Sequence, residues 1–185
     1  MCMESLEMNW RKFMNGVEMV AELMAISATT APKSKGANFV KTRVLAGKIL
    51  KELADTMLAY GQRTKKKDFD RDSKNVANSD AVLLVGLKKA GVVDLDCSAC
   101  GFADCKTFQK QKKETGEFVG PTCAFRLLDM GIALGSAVKT AGMLNVDNRI
   151  MYRVGVAARE MNLVDWEFVM GIPLSVTGKS IYFDR

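Results

Sequence analysis

Residues 81–87 read Ala-Val-Leu-Leu-Val-Gly-Leu, an unbroken apolar run with β-branched residues and no charge. At seven residues it is too short for an ordinary globular helix, so it predicts a buried central strand. Its neighbours on either side set the fold class. Upstream, Gln62 to Asp80 is polar and carries Arg63, Lys65, Lys66, Lys67, Arg71 and Lys74 interleaved with Asp68, Asp70 and Asp72. The alternating signs cancel much of the field, so this segment is expected to be a solvated loop and not a nucleic-acid surface.

Before that loop, Ile49, Leu50, Leu53, Met57 and Leu58 recur at helical spacing, predicting a helix over Ala46 to Tyr60 that Gly61 ends. Asn38 to Leu45 reads as a short strand through Phe39, Val40 and Val44. Thr29 to Gly36 (TTAPKSKG) is a break marked by Pro32 and Gly36. Ahead of it, Leu6, Trp10, Phe13, Val17, Val20 and Met24 step by three and four, the stripe of an amphipathic helix from about Leu6 to Ala28. Six of the twelve methionines lie in residues 1–24 and read as adaptable core or dimer-interface filling.

Downstream of the central strand lies the segment that carries the chemistry. Cys97, Cys100, Cys105 and Cys123 follow the pattern C-x2-C-x4-C-x17-C, written CSACGFADC and then GPTC, and Cys2 stands apart. An odd cysteine count without an export signal argues against a disulfide framework. Clustered thiolates repel one another unless a metal neutralises them. Four uses compete: a [4Fe–4S] core, a structural zinc ion, a redox dithiol at the C-x2-C pair, and unliganded core cysteines. The iron–sulfur core leads. The tight triplet wraps one side of such a core while Cys123 supplies the remaining corner from another element. Gly101 permits a positive φ that turns N–H groups toward the sulfurs. Cys123 is expected in the first turn of a helix over Cys123 to Met143, whose small residues Gly131, Ala133, Gly135, Ser136, Ala137 and Ala141 allow close packing. Asp104 to Thr115 predicts a short basic helix with Lys106, Lys110, Lys112 and Lys113. A second helix is expected over Asn148 to Met161, and a final strand or arm over Glu167 to Val176.

Composition sets further bounds. The chain has 185 residues, 48% apolar and 26% charged, with a formal charge of +6 and no histidine. The missing histidine excludes Ser-His-Asp and Cys-His catalysis and His-ligated metals. No apolar run approaches the roughly 20 residues of a membrane helix, and Glu4, Glu7, Arg11 and Lys12 interrupt the N-terminal apolar residues. The expectation is a cytoplasmic protein without a membrane or nucleic-acid partner. We expect residues 1–185 to form one α+β domain: a small mixed sheet flanked by helices, with residues 94–124 as an iron–sulfur loop insertion.

The cysteine motif resembles the four-cysteine [4Fe–4S] module of ferredoxin-like subunits of anaerobic electron-transport complexes and of corrinoid iron–sulfur proteins. From APKSKG to the terminal GIPLSVTGKSIYFDR, the chain resembles a ferredoxin domain-containing family of anaerobic bacteria and archaea, which implies a cluster but no assigned substrate. The order of its elements is also similar to the nitroreductase family, which binds FMN at a dimer interface. The small-residue helix and the apolar tail, together with that resemblance, suggest a homodimer, and the resemblance places Lys33, Ser34, Lys35 and Asn38 where the family holds its flavin. The family's paired arginines at the end of the first helix are missing, leaving Lys33, Lys35 or Arg185 for a flavin phosphate. The leading expectation is therefore a [4Fe–4S] electron-transfer protein serving a redox partner protein or a small-molecule acceptor. The alternatives are an FMN-dependent oxidoreductase in which the cluster relays electrons, and a zinc-stabilised interaction module.

Overall fold

The structure, a computed structural model, describes residues 16–183. The 81–87 run is the strand β2 (Ala81–Leu87), and all seven of its residues are buried. It lies inside a four-stranded sheet of order β1-β2-β6-β5, with β1 at Val40–Ala46, β5 at Asp147–Asn148 and β6 at Phe168–Ser175. Register runs from Val40↔Leu87 to Ala46↔Ala81 on one side of β2 and from Ala81↔Leu174 to Leu87↔Phe168 on the other. Every ladder among the described residues is antiparallel, where the sequence led us to expect a mixed sheet.

A strand buried on both faces needs cover on both, and alternation along β2 shows how it is supplied. Ala81, Leu83, Val85 and Leu87 join a core with the helices α1 (Gly16–Thr30) and α5 (Ala124–Met143). Val82 and Leu84 face the opposite way, into a core with α2 (Lys48–Thr64), α3 (Phe69–Ala77) and α6 (Tyr152–Glu160). The result is three layers, helices on a sheet on helices. Full burial of Leu83 and Leu84 contributes about 2–3 kcal/mol each. Among the described residues no helix is long and apolar enough to cross a membrane.

Two expectations fail together. The polar 62–80 segment is no loop, because α3 occupies its middle. Phe69, Asp72, Ser73 and Val76 are buried at helical spacing, and Asp72 is held by Arg71 Nε at 2.9 Å and Arg153 Nη1 at 2.8 Å. Nor does Gly61 end the preceding helix, which runs on to Thr64 and stops at Lys65 in the left-handed region (φ 57°). Gly61 is a docking point: a Cβ there would lie 2.5 Å from the Cβ of Phe69. The N-terminal helix is described from Gly16, and the stripe residues Leu6, Trp10 and Phe13 lie outside the described residues, as does Cys2.

The tightest helix–sheet approach is at Gly155 on α6, where an added Cβ would lie 1.8 Å from the Val169 carbonyl oxygen of β6. Backbone cannot swing aside like the tip of a side chain. Gly155→Ala is therefore expected to destabilise the fold by roughly 3 kcal/mol through overpacking, read as a shift in the urea unfolding midpoint at an unchanged slope.

Candidate metal centre

The cysteine loop leaves β2 through Lys88 and Lys89 and is anchored at Val93, 3% exposed. Asp94 (φ 56°), Asp96 (φ 46°) and Ser98 (φ 55°) all adopt left-handed backbone, and Gly101 follows at φ 86° as its place after Cys100 implied. Three non-glycine residues in that region within five positions is uncommon, and such conformations concentrate at ligand clamps. The loop is closed by its own polar groups. Gly101 N–H donates to Ser98 O at 2.9 Å, Ser98 Oγ donates to Ala103 O at 3.0 Å, and Cys105 N–H donates to Asp96 Oδ1 at 2.8 Å.

That last bond brings the Cys97 neighbourhood against Cys105, the first residue of α4 (Cys105–Gln109). Asp104 caps α4, and hydrogen bonds from Thr107 hold its carboxyl below the usual carboxylate range. With the folded value lowered, the contribution of the cap is complete above the ordinary aspartate range and is lost as pH falls to the lowered value. The basic helix is thus shorter than expected. Lys106 and Lys110 are exposed on or beside it, whereas Lys112 and Lys113 fall beyond it and lie near Glu114 and Glu167.

Cys123 is the residue that unites the motif. The chain returns from α4 through a small hairpin of β3 (Glu114–Thr115) and β4 (Val119–Gly120) and then passes Pro121 and Thr122. Cys123 is the N-cap of α5 rather than part of its first turn: ψ is 128°, and its carbonyl accepts from Arg126 N–H and Leu127 N–H. It is buried with Val93 and Phe108 in a small third core against which Cys100, Phe102 and Phe125 pack. The outlying thiol therefore shares a core with Cys100 of the triplet. All four thiols are free; Cys97 is exposed, Cys100 and Cys105 half-buried and Cys123 buried. Among the described residues no three Cys, Asp or Glu side chains converge as on a single ion.

One buried ion pair fixes these parts. Arg126 and Asp129, each 3% exposed, meet at 2.9 Å on the inner face of α5. The same guanidinium donates to Gly91 O and Ser34 O at 3.0 Å each and to Ala37 O at 3.4 Å, and it lies 4.7 Å from the Phe39 ring centroid. Asp129 Oδ1 in turn accepts from Ser34 N–H and Ser34 Oγ, both at 2.8 Å. Arg126 is thus a buried tie between two loops and its own helix. Its signal was present as Arg126-x-x-Asp129 on the face that continues through Met130, Ala133 and Ala137.

The segment 33–38 therefore lies next to the lead-in to the cysteine loop, but most of its polar groups are engaged. Lys33 Nζ donates to the carbonyls of Ala28, Thr29 and Ala31 at 2.6–2.7 Å, and burial pushes its pKa down against the pull of Asp129. Ser34 is taken by Asp129, and Asn38 Oδ1 accepts from Val40 N–H at 3.0 Å. Lys35 (φ 54°) and Asn38 are exposed. Arg185 lies outside the described residues.

Removing one partner of a buried pair strands the other charge. Arg126→Met is expected to cost about 3–5 kcal/mol in urea unfolding, and pairing it with Asp129→Leu should recover part of that loss. Additive losses in the double variant would show that the two side chains do not act as a unit.

A profile of proteins described as "Uncharacterized protein containing a ferredoxin domain (DUF2148)" matches residues 119–185, which include Cys123 and not the triplet. An uncharacterized protein of Archaeoglobus fulgidus is 47% identical over 179 residues, covering 96% of this chain and 97% of its own. Among solved structures, a BluB-like flavoprotein from Clostridium difficile superposes with a TM-score of 0.59 at 17% identity, over 94% of this chain and 87% of its own. The nitroreductase CinD from Lactococcus lactis, in complex with chloramphenicol, gives 0.58 at 15% over 94% and 86%. The FMN-dependent nitroreductase NfnB from Mycobacterium smegmatis, in complex with NADPH, gives 0.55 at 10% over 87% and 78%. At these identities the solved structures establish the nitroreductase-like fold. The near full-length relative and the profile together establish that this chain belongs to the family of uncharacterized proteins containing a ferredoxin domain.

Proposed function

We propose that this protein is an iron–sulfur redox protein in which Cys97, Cys100, Cys105 and Cys123 hold a [4Fe–4S] cluster for electron transfer. The observation that carries the reading is that Cys100 packs against the small core of Val93, Phe108 and Cys123, in a family named for a ferredoxin domain. Four free thiols, two of them (Cys100 and Cys123) at a small apolar core and Cys97 exposed, suit a cluster as soft anionic donors. A single zinc ion needs every thiolate within about 2.3 Å of one centre, so the loop would have to tighten around it. A cluster presents a separate iron to each thiolate and tolerates a wider spread. Bound there, it would supply one-electron reduction and oxidation.

The chain's own groups tune and deliver. Asp96 and the left-handed residues around it fix the backbone of the triplet, and the N-terminal end of the twenty-residue α5 favours negative charge at Cys123. Lys106 and Lys110 offset a negatively charged cluster and favour an acidic partner surface. Exposed Leu23 and Ile26 on α1 and Leu128 and Ile132 on α5 support a homodimer through these helices.

A second reading adds FMN, with the cluster as its electron relay. It is favoured by Arg126, which contacts both the 33–38 segment and the start of the cysteine loop, and by the flavin named for the neighbouring folds. Lys33 and Ser34 are engaged within the protein, so as they stand Lys35 and Asn38 are the groups open to a flavin.

Anaerobically purified protein is expected to be brown and to contain about four iron and four acid-labile sulfide per chain. Cys100→Ala should lose or convert the cluster, and Cys2→Ala should leave iron and spectrum unchanged. Colourless protein that after reconstitution binds only zinc would sink the proposal in favour of a zinc module. Flavin fluorescence in the heat-released supernatant would establish the second reading.

A further inference from the structure

On the face of the sheet opposite the 33–38 segment, a cavity of about 210 Å³ opens between α2, α6 and the β3–β4 hairpin. Tyr60, Gly116, Glu117, Val156, Arg159 and Glu160 line it. Its charges do not balance. Glu117 has Lys66 at 2.8 Å and Glu160 has Arg63 at 2.8 Å, so both carboxylates are matched. Arg159 is not. Its Nη1 donates to the Glu117 carbonyl, and the Glu167 carboxylate acts on it through space without forming an ion pair within 4 Å among the described residues. That leaves Nε and Nη2, the edge that grips a carboxylate in two parallel hydrogen bonds, without a protein acceptor among those residues.

We infer that this cavity binds a small monocarboxylate, held by the free edge of the Arg159 guanidinium. Size sets the class of ligand. At about 210 Å³ the cavity suits an acid of a few carbon atoms. Val156 supplies an apolar wall for the carbon chain. Burial lowers the pKa of Arg159, the mark of a cation that has lost water and gains by meeting an anion. Burial, and then the Glu117 carboxylate with which its hydroxyl hydrogen-bonds, raises the pKa of Tyr60, so that hydroxyl stays protonated and is turned to Glu117, leaving Arg159 as the group that holds the acid. The inference goes beyond the redox reading and stands without it, because none of the four thiols takes part.

The test is calorimetric titration of the anaerobically purified full-length protein with acetate, lactate and butyrate, using methylammonium as the cation control. At least one acid should bind saturably at one site per chain, and methylammonium should not. Arg159→Gln, which keeps a donor for the Glu117 carbonyl but loses the charge and the fork, should weaken binding at least tenfold. Arg159→Lys should retain part of it, and Arg149→Gln, which changes an arginine outside the cavity lining, should leave it unchanged. No saturable binding by any of the three acids, or undiminished binding in Arg159→Gln, overturns the proposal. Should Arg159→Gln prove unfolded, the wild-type amide resonances decide. Saturable shifts at Gly116 and Glu117 on adding acetate support the site, and their absence removes it.

Discussion

The arrangement of the candidate centre depends on a charge buried where charges are costly. Arg126 and Asp129 sit on the inner face of α5, and taking two ions out of water carries a penalty of several kcal/mol each. The penalty is met by good geometry: a 2.9 Å contact, carbonyls from two separate loops on the guanidinium, and a backbone amide and hydroxyl on the carboxylate. An apolar pair of similar volume would fill the space but could not hold those loops, because only a donor fork can gather several carbonyls. The pair therefore ties the segment after α1, the segment after β2 and the helix begun by Cys123 to one another. Position is what it provides.

This explains why part of the site was legible in the sequence and part was not. The cysteine spacing, the Gly101 turn and the small-residue helix are local signals, each read within a few residues of itself. So is the 81–87 strand, whose apolar run leaves no competing amphipathic reading. The tie through Arg126 joins residues about 35 and 92 positions away along the chain, and no local pattern encodes such partners. The helix α3 was hidden for a different reason. Its first residues are dominated by charge, yet Phe69 and Val76 face inward, and Asp72 is stabilised by arginines from its own helix and from α6. Net polarity masked a periodic apolar face. At Gly61 the conformational reading of glycine lost to a packing one, since the residue is needed for closeness and not for a turn.

The two faces of the sheet divide the molecule's chemistry. α1 and α5, with the 33–38 segment at the end of the first, cover one face and leave an apolar outer surface. α2, α3 and α6 cover the other, where charged networks and the Arg159 cavity lie. Both cores are closed by alternate residues of β2, so a disturbance of that strand reaches both. The third core around Val93, Phe108 and Cys123 belongs to neither face and has few large residues of its own.

The stretch between Cys105 and Cys123 crosses this division. Phe118 stacks on Phe168 at 4.2 Å and packs with the α2–α6 core, Val119 N–H donates to Glu167 O, and four residues later Cys123 enters the third core. Glu117, one residue before Phe118, lends its carbonyl to Arg159 and its carboxylate to Lys66. The backbone that positions the outlying thiol is thus also the wall of the arginine cavity. A ligand at either proposed place would restrain the same few residues, and order supplied at one end would reduce what the other must supply. Any thermodynamic link between cavity and thiols runs through residues 116–123, and by linkage it acts equally in both directions.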